Sequence, residues 1–253
     1  MEPLSKNTIK LITSLTRKKE RDELNLFFAE GPKLVDDLLN TFSCSLLVAT
    51  SDYIDSHKSI RADIVKEVSK EDLKKASALC APQSVVAVFR KPNYQLDCAN
   101  IANQLTLMLD TIQDPGNLGT IIRVADWFGI ENILCSKETV DVYNPKVVQA
   151  TMGALSRVKI HYLDLEETLI KMKNVPIFGT FLEGNNIYEE ALSPTGVIIM
   201  GNEGNGISSG VGKYVNRKLY IPNFPQSRDT SESLNVAIAT AITCSEFRRR
   251  INK

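Results

Sequence analysis

The chain has 253 residues, 43% hydrophobic and 24% charged, and its 30 Lys and Arg balance 30 Asp and Glu for a formal net charge of zero. This is the composition of a folded globular protein, long enough for one large domain or two modest ones. It excludes a disordered chain and supplies no whole-molecule attraction for nucleic acid. Apolar runs such as 85–89 and 197–200 fall far short of the roughly 20 residues that cross a bilayer. The opening residues 1–6 lack the apolar core of a signal peptide, so a cytoplasmic protein with no membrane partner is expected. The five cysteines (Cys44, Cys80, Cys98, Cys135, Cys244) are scattered with no C-x-x-C pair, which points to free thiols and to no metal. His57 and His161 are the only histidines and neither lies in a motif, which disfavours a histidine-based triad.

Residues 1–21 carry six bases (Lys6, Lys10, Arg17, Lys18, Lys19, Arg21) against two acids, Glu2 and Glu20. Ile9, Ile12 and Leu15 share one helical face, so these bases occupy the polar side of an amphipathic helix: either a solvated face or a polyanion-binding one. A strand at 26–29 then turns at Glu30-Gly31 into a helix opening at Pro32. Strands at 46–49 and 85–89 flank a charged helical pattern at 66–78, and Lys91-Pro92-Asn93 breaks the chain. Residues 1–95 therefore read as a small α/β domain, with 96–103 as linker.

From residue 104 to 253 strands and helices alternate. Strands are expected at 105–109, 132–135, 176–182, 196–200 and 218–221, with helices at 118–128, 145–154, 165–172 and 233–250. Continuous apolar strands separated by helices predict a mostly parallel sheet covered on both faces. Such sheets bind ligands beyond the carboxyl ends of their strands. For the terminal cluster Arg248, Arg249, Arg250 and Lys253, cations complementing a helix C-terminus are the simplest reading.

Three segments that follow strands concentrate polar residues. In Asp114-Pro115-Gly116-Asn117, Asn117 is placed to cap the next helix; Ile121, Val124, Ala125 and Phe128 form its apolar stripe, and Arg123 points away from it. In Gly201-Asn202-Glu203-Gly204-Asn205-Gly206 the glycines are spaced G-x-x-G-x-G, which is not the dinucleotide fingerprint, and a carboxylate sits inside the loop. After Ile221-Pro222-Asn223, Ser231 or Ser233 could cap a final helix with Asn235 in its first turn. The small apolar residues Ala237, Ile238, Ala239, Ala241 and Ile242 imply that this helix is buried in the fold or against another subunit.

Together these segments resemble the SpoU-type (TrmH-like) family of tRNA and rRNA 2′-O-ribose methyltransferases, within the SPOUT superfamily. Asn117 with Arg123 six residues on resembles the family's first motif, Gly201 to Gly206 its G-N-E-x-x-G, and Ile221-Pro222 with Ser233-Leu234-Asn235-Val236 its third. The stretch from Asn144-Pro145 to Gly153-Ala154 and, more loosely, Lys18-Lys19, Glu30-Gly31-Pro32 and Val86-Ala87-Val88 follow in matching order. Two departures stand out: the gap from Pro222 to Ser233 is longer than in the family, and Asn223 replaces its methionine.

The resemblance implies a C-terminal trefoil knot, a homodimer, S-adenosylmethionine as cofactor and RNA as substrate, rRNA ahead of tRNA. It places Thr180, Leu182, Gly201, Asn202, Gly206, Ile221 and Leu234 against the cofactor. It gives Arg123, Asn117, Glu203, Ser233 and Asn235 to catalysis, and Arg17, Lys18, Lys19 and Arg21 of the small domain to RNA. Since arginine stays protonated in proteins, Arg123 is expected to hold a phosphate and stabilise alkoxide charge instead of serving as a literal base. Two other readings remain: a base-methylating member of the same superfamily and a non-catalytic RNA-binding protein.

Overall fold

A computed structural model describes residues 3–97, 101–225 and 233–251. In chain order the elements are α1 (Lys6–Ser14), α2 (Lys18–Leu24), β1 (Leu26–Glu30), α3 (Pro32–Leu39), β2 (Cys44–Ala49), α4 (Ser51–Asp55), β3 (Val65–Glu67), α5 (Lys70–Ala76) and β4 (Val85–Arg90). Then follow β5 (Leu105–Leu109), α6 (Pro115–Trp127), β6 (Asn132–Ser136), α7 (Pro145–Ala150), β7 (Lys159–Leu163), α8 (Leu165–Lys171), β8 (Ile177–Asn186), β9 (Gly196–Met200), α9 (Ser209–Gly212), β10 (Arg217–Tyr220) and α10 (Val236–Ile251). The chain divides into two compact units, Met1–Asn93 with Asp141–Arg157, and Tyr94–Val140 with Val158–Lys253.

The first unit is built on the sheet β1-β4-β2-β3, antiparallel except for the β2–β3 pair. Ile12 and Leu15 bury against Phe28, Val48, Val86 and Val88, so the apolar face of the N-terminal helix meets the core as its spacing predicts. The helical pattern expected over 66–78 resolves into two elements. Val65–Glu67 pair with Leu47–Ala49 as an edge strand, and the Ser69 side chain accepts from Asp72 N at 3.1 Å to start α5 afresh. Likewise the helix expected over 145–154 stops at Ala150, because Met152 and Gly153 take positive φ (51° and 93°). A side chain at position 153 would overlap the Asp37 carboxylate.

The second unit holds a parallel sheet in the order β10-β8-β9-β5-β6-β7. Successive residues of its strands point to opposite faces. Met108, Val197, Ile199 and Ile177 pack with Leu165 and Leu169 of α8 and Val211 of α9. On the other face Phe178 meets Phe247 of α10 edge-on, with ring centroids 4.8 Å apart, and α10 packs on α6. Helices therefore cover both faces, as expected. Strand β7, Lys-Ile-His-Tyr-Leu, is too polar to announce itself in the sequence; its ladder with β6 holds it. The last helix begins at Val236, three residues later than expected. Asn235 is its cap, its Oδ1 accepting from Ala237 N (3.0 Å) and Ile238 N (3.3 Å), while Ser231 lies outside the described residues.

Candidate active site

Because the second sheet is parallel, β5, β9 and β10 all end on one side, and the three polar segments leave from there. Asp114 caps α6: its Oδ1 accepts from Asn117 N at 2.7 Å, so the expectation that Asn117 is the cap is corrected. With its backbone satisfied by Asp114, the Asn117 side chain is free to bridge. Its Nδ2 donates to Glu203 Oε1 at 2.6 Å and its Oδ1 accepts from Asn235 Nδ2 at 2.9 Å. The orientation of both amides follows from the network. Asn235 spends its oxygen on the α10 cap, so it turns its NH2 to Asn117, which must answer with oxygen and present its own NH2 to the carboxylate. Three segments far apart in sequence thus close on one hydrogen-bonded chain.

The glycine loop is pinched at its neck. Asn202 and Gly206 exchange backbone hydrogen bonds of 3.0 and 2.9 Å, and a Cβ on Gly201 would overlap the Gly206 carbonyl carbon. The Asn202 side chain is spent inside the loop: Oδ1 accepts from Gly204 N (2.9 Å) and Asn205 N (3.1 Å), and Nδ2 donates to Thr111 O (2.8 Å). Asn202 therefore shapes the loop, and Glu203 projects from its exposed tip.

Beside it, the β8–β10 ladder is interrupted. Lys218 pairs with Gly179 but the next residue, Leu219, pairs with Asn185, so 180–184 leave the ladder. Thr180 and Leu182 lie in this excursion. Thr180 Oγ1 reaches Met200 Sδ at 3.7 Å, Leu182 is 69% exposed, and Gly184 is closed down so tightly that a Cβ would come within 2.9 Å of Lys218 O. Ile221 is half-buried just after β10, and Leu234, 47% exposed, precedes Asn235.

Arg123 lies six residues beyond Asn117 on α6, about 240° around the helix and ~9 Å along it. It is exposed, with no hydrogen-bond or ion-pair partner among the described residues. It does not join the Asn117 network of its own chain. Ser233 is exposed two residues before Asn235. The C-terminal arginines have definite partners: Arg248 donates to Phe128 O (2.7 Å) and Gly129 O (3.0 Å) at the end of α6, and Arg250 to the carbonyls of Ile187, Tyr188 and Glu190.

In the first unit, Arg17, Lys18 and Lys19 are exposed, Arg17 and Lys19 facing Glu20 and Glu23 in surface pairs. Arg21, expected among the RNA-binding cations, is instead 2% exposed. Its Nε and Nη2 grip Asp141 Oδ2 at 3.0 and 2.7 Å, and Nη1 donates to the carbonyls of Leu15 and Thr16. The apolar side of the helical stretch carries it inward, so this arginine is structural.

Such a parallel sheet, with a polar network beyond the carboxyl ends of its strands, defines an α/β protein whose ligand site is expected at that edge. The SpoU rRNA methylase family model matches residues 104–245, and the MRM3-like substrate binding domain model matches residues 6–87. The 23S rRNA (guanosine(2553)-2′-O)-methyltransferase RlmP of Bacillus subtilis is 30% identical over 96% of both chains. A putative RNA methyltransferase of the TrmH family from Porphyromonas gingivalis superimposes with a TM-score of 0.88 at 41% identity, over 98% of this chain and 100% of that one. An AdoMet-bound rRNA methyltransferase from Sinorhizobium meliloti does so with a TM-score of 0.85 at 30% identity, over 99% and 97%. The chain belongs to the SpoU rRNA methylase family. It is an S-adenosylmethionine-dependent RNA 2′-O-methyltransferase, the activity implied by the motifs around Asn117, Gly201 and Asn235.

The residues present fit that cofactor. Leu182 in the 180–184 excursion and Leu234 next to Asn235 leave apolar surface uncovered, which suits a nucleoside face. The pinched glycine loop and the 180–184 excursion bring backbone, without intervening side chains, to the same end of the sheet.

Proposed function

We propose that this enzyme methylates the 2′-hydroxyl of a large-subunit rRNA nucleotide, a guanosine being the first to test given the relative from B. subtilis. The observation that carries the reading is the bridge from Glu203 through Asn117 to Asn235, which gathers three motif segments at one edge of the sheet. S-adenosylmethionine supplies an electrophilic methyl on a sulfonium. The chain's own work is to seat it, to align the ribose hydroxyl, and to manage one proton and one developing negative charge.

Seating falls to Thr180, Leu182, Gly201, Gly206, Ile221 and Leu234, largely through backbone and apolar surface, with Asn202 holding the loop's shape. Arg123 clamps the phosphate next to the target ribose and stabilises alkoxide charge as the hydroxyl proton leaves to phosphate or solvent. Asn117, Glu203, Ser233 and Asn235 position the ribose and the arginine. Arg123 points away from its own chain's network, which supports a homodimer in which it serves the partner's site. Exposed Trp127 (84%) and Ile238 (52%), on the packed pair α6 and α10, support the same assembly.

The substrate-facing domain is 1–95, reached through the linker 96–103, with Arg17, Lys18 and Lys19 meeting phosphate. The domain 104–253, whose 141–157 segment groups with the first unit, is the methyltransferase and carries the family's trefoil knot. The enzyme is assigned to the cytoplasm, where rRNA is modified in the bacterium of the RlmP relative; among the described residues no helix is long and apolar enough to cross a membrane.

Incubating the full chain with S-adenosylmethionine and unmodified large-subunit rRNA, then digesting with nuclease P1, tests the reaction by mass spectrometry. The expected product is a 2′-O-methylnucleotide. A base-methylated nucleotide, or no product at all, overturns the reading.

A further inference from the structure

Within the second unit, a buried side chain tied to the leg of the glycine loop at Ser208 belongs to none of the three motif sets above. Asp110 follows the last residue of β5, is 4% exposed, and has both carboxylate oxygens engaged. Its Oδ2 accepts from Ser208 N at 2.8 Å, and its Oδ1 accepts from the Thr111 hydroxyl at 3.1 Å. Its own N–H donates to Met200 O at 2.9 Å, the residue just before the loop. The neighbouring Thr111 carbonyl takes the Asn202 side chain at 2.8 Å. Both legs of the pinched loop, at Asn202 and at Ser208, are therefore tied to one two-residue turn.

That turn is itself braced from the β6 side. Thr111 has φ 62°, outside the region a threonine ordinarily occupies, and its N–H donates to Ser136 Oγ at 3.0 Å. Ile112 N donates to Thr139 Oγ1 at 3.3 Å and Ile112 O accepts from Val140 N at 2.8 Å. A residue in so sparse a conformation persists only where its surroundings over-determine it. This turn holds the glycine loop through Thr111 O and Asp110 Oδ2, beyond the point where the β5–β9 ladder ends at Met200.

We infer that Asp110 is a positioning residue for the methyl-donor site: it acts through Ser208 N–H to hold the Gly201–Gly206 loop in its ligand-binding shape. This rests on the reading that the loop seats S-adenosylmethionine. Asp110 touches neither substrate nor cofactor; it fixes the backbone that does. A hydrogen bond to a charged acceptor is stronger than a neutral one, and an unpinned glycine loop must be ordered anew each time the ligand binds.

The test compares Asp110→Ala, Asp110→Asn and a control, Leu107→Ala, from the same buried strand. Each is measured for Tm, for S-adenosylmethionine affinity by calorimetry, and for KM and kcat in methyl transfer to large-subunit rRNA. Asp110→Ala is expected to raise the Kd and KM for S-adenosylmethionine on the order of ten- to a hundredfold, with kcat at saturation and KM for RNA little changed. Asp110→Asn, which keeps one oxygen to accept from Ser208, should recover most of that loss. Leu107→Ala should lower Tm at least as much while leaving the cofactor KM alone. If Asp110→Ala lowers Tm but binds the cofactor like wild type, or if Leu107→Ala raises KM equally, Asp110 is only part of the core and the inference fails. Wild-type protein that binds no S-adenosylmethionine would instead sink the proposed function itself.

Discussion

The amide of Asn117 lies 2.6 Å from the carboxylate of Glu203, a residue 86 positions further along the chain. Asn117→Ala removes both this bond and the one from Asn235 at once, while Asp114 still caps α6. Loss of two positioning bonds at the reacting end of the sheet should cost on the order of 10² in kcat/KM for methyl transfer. Glu203→Gln, which can still accept from Asn117, should cost less. Steady-state rates within twofold of wild type for Asn117→Ala would make the bridge a bystander.

Arg123 makes a separate demand. Because it stands apart from the Asn117 network, Arg123→Ala should abolish turnover while S-adenosylmethionine binding, followed by calorimetry, persists. Arg123→Lys should remain strongly impaired, since a point charge cannot reproduce a two-pronged phosphate clamp. Loss of cofactor binding in Arg123→Ala would place this side chain in the wrong site.

The buried pair in the first unit governs stability. Arg21 is 2% exposed and its ionic partner is Asp141, so Asp141→Ala strands a buried guanidinium. Chemical denaturation should register a loss of about 3–5 kcal/mol. A change under about 1 kcal/mol, measured as a shift in midpoint at constant m-value, would show that Leu15 O and Thr16 O suffice for Arg21.

Acid sensitivity should map in part to α10. The hydrogen bond from Arg249, reinforced by Arg250, outweighs burial and holds the Glu246 carboxyl down at about 2 from an ordinary 4.5. A depressed carboxyl stabilises the fold above its unfolded pKa and loses that contribution as pH falls towards its folded one. Glu246→Gln should therefore flatten the stability profile between pH about 4.5 and about 2 and lower stability at neutral pH. An unchanged acid limb in urea titrations would assign acid sensitivity elsewhere.

Replacing Arg17, Lys18 and Lys19 together by Ala should weaken RNA binding and reduce the slope of log K against log salt by about 2–3. Filter binding at several salt concentrations measures it directly. An unaltered slope would mean that RNA enters by another face.

Much of the fold is legible in the residues. The apolar strands from Leu105 to Met200 announce a parallel sheet because burial on both faces leaves no polar alternation to confuse the pattern. The motif segments mark the proposed site because a ligand at the carboxyl ends of strands needs small and polar residues just there. Strand β7 is not legible, since His161 and Tyr162 owe their extended backbone to the ladder with β6. Arg21 is misread because a cation in a basic run looks exposed until Asp141, 120 residues away, is brought beside it. Asp114 and Asn235 displace the expected caps for a related reason. Several Ser, Asn and Asp near a helix start can all cap, and only the bridge to Asn117 decides which side chain is spent on which task.

The proposed seat for the methyl donor lies where the Asn117, Glu203 and Asn235 segments are joined, and calorimetric titration of the full chain with S-adenosylmethionine reads it most directly. Wild-type protein should give saturable heat at one site per chain, and Gly201→Val, whose side chain cannot fit against Gly206, should give none. Equal binding by Gly201→Val, or no heat from either protein, would contradict it.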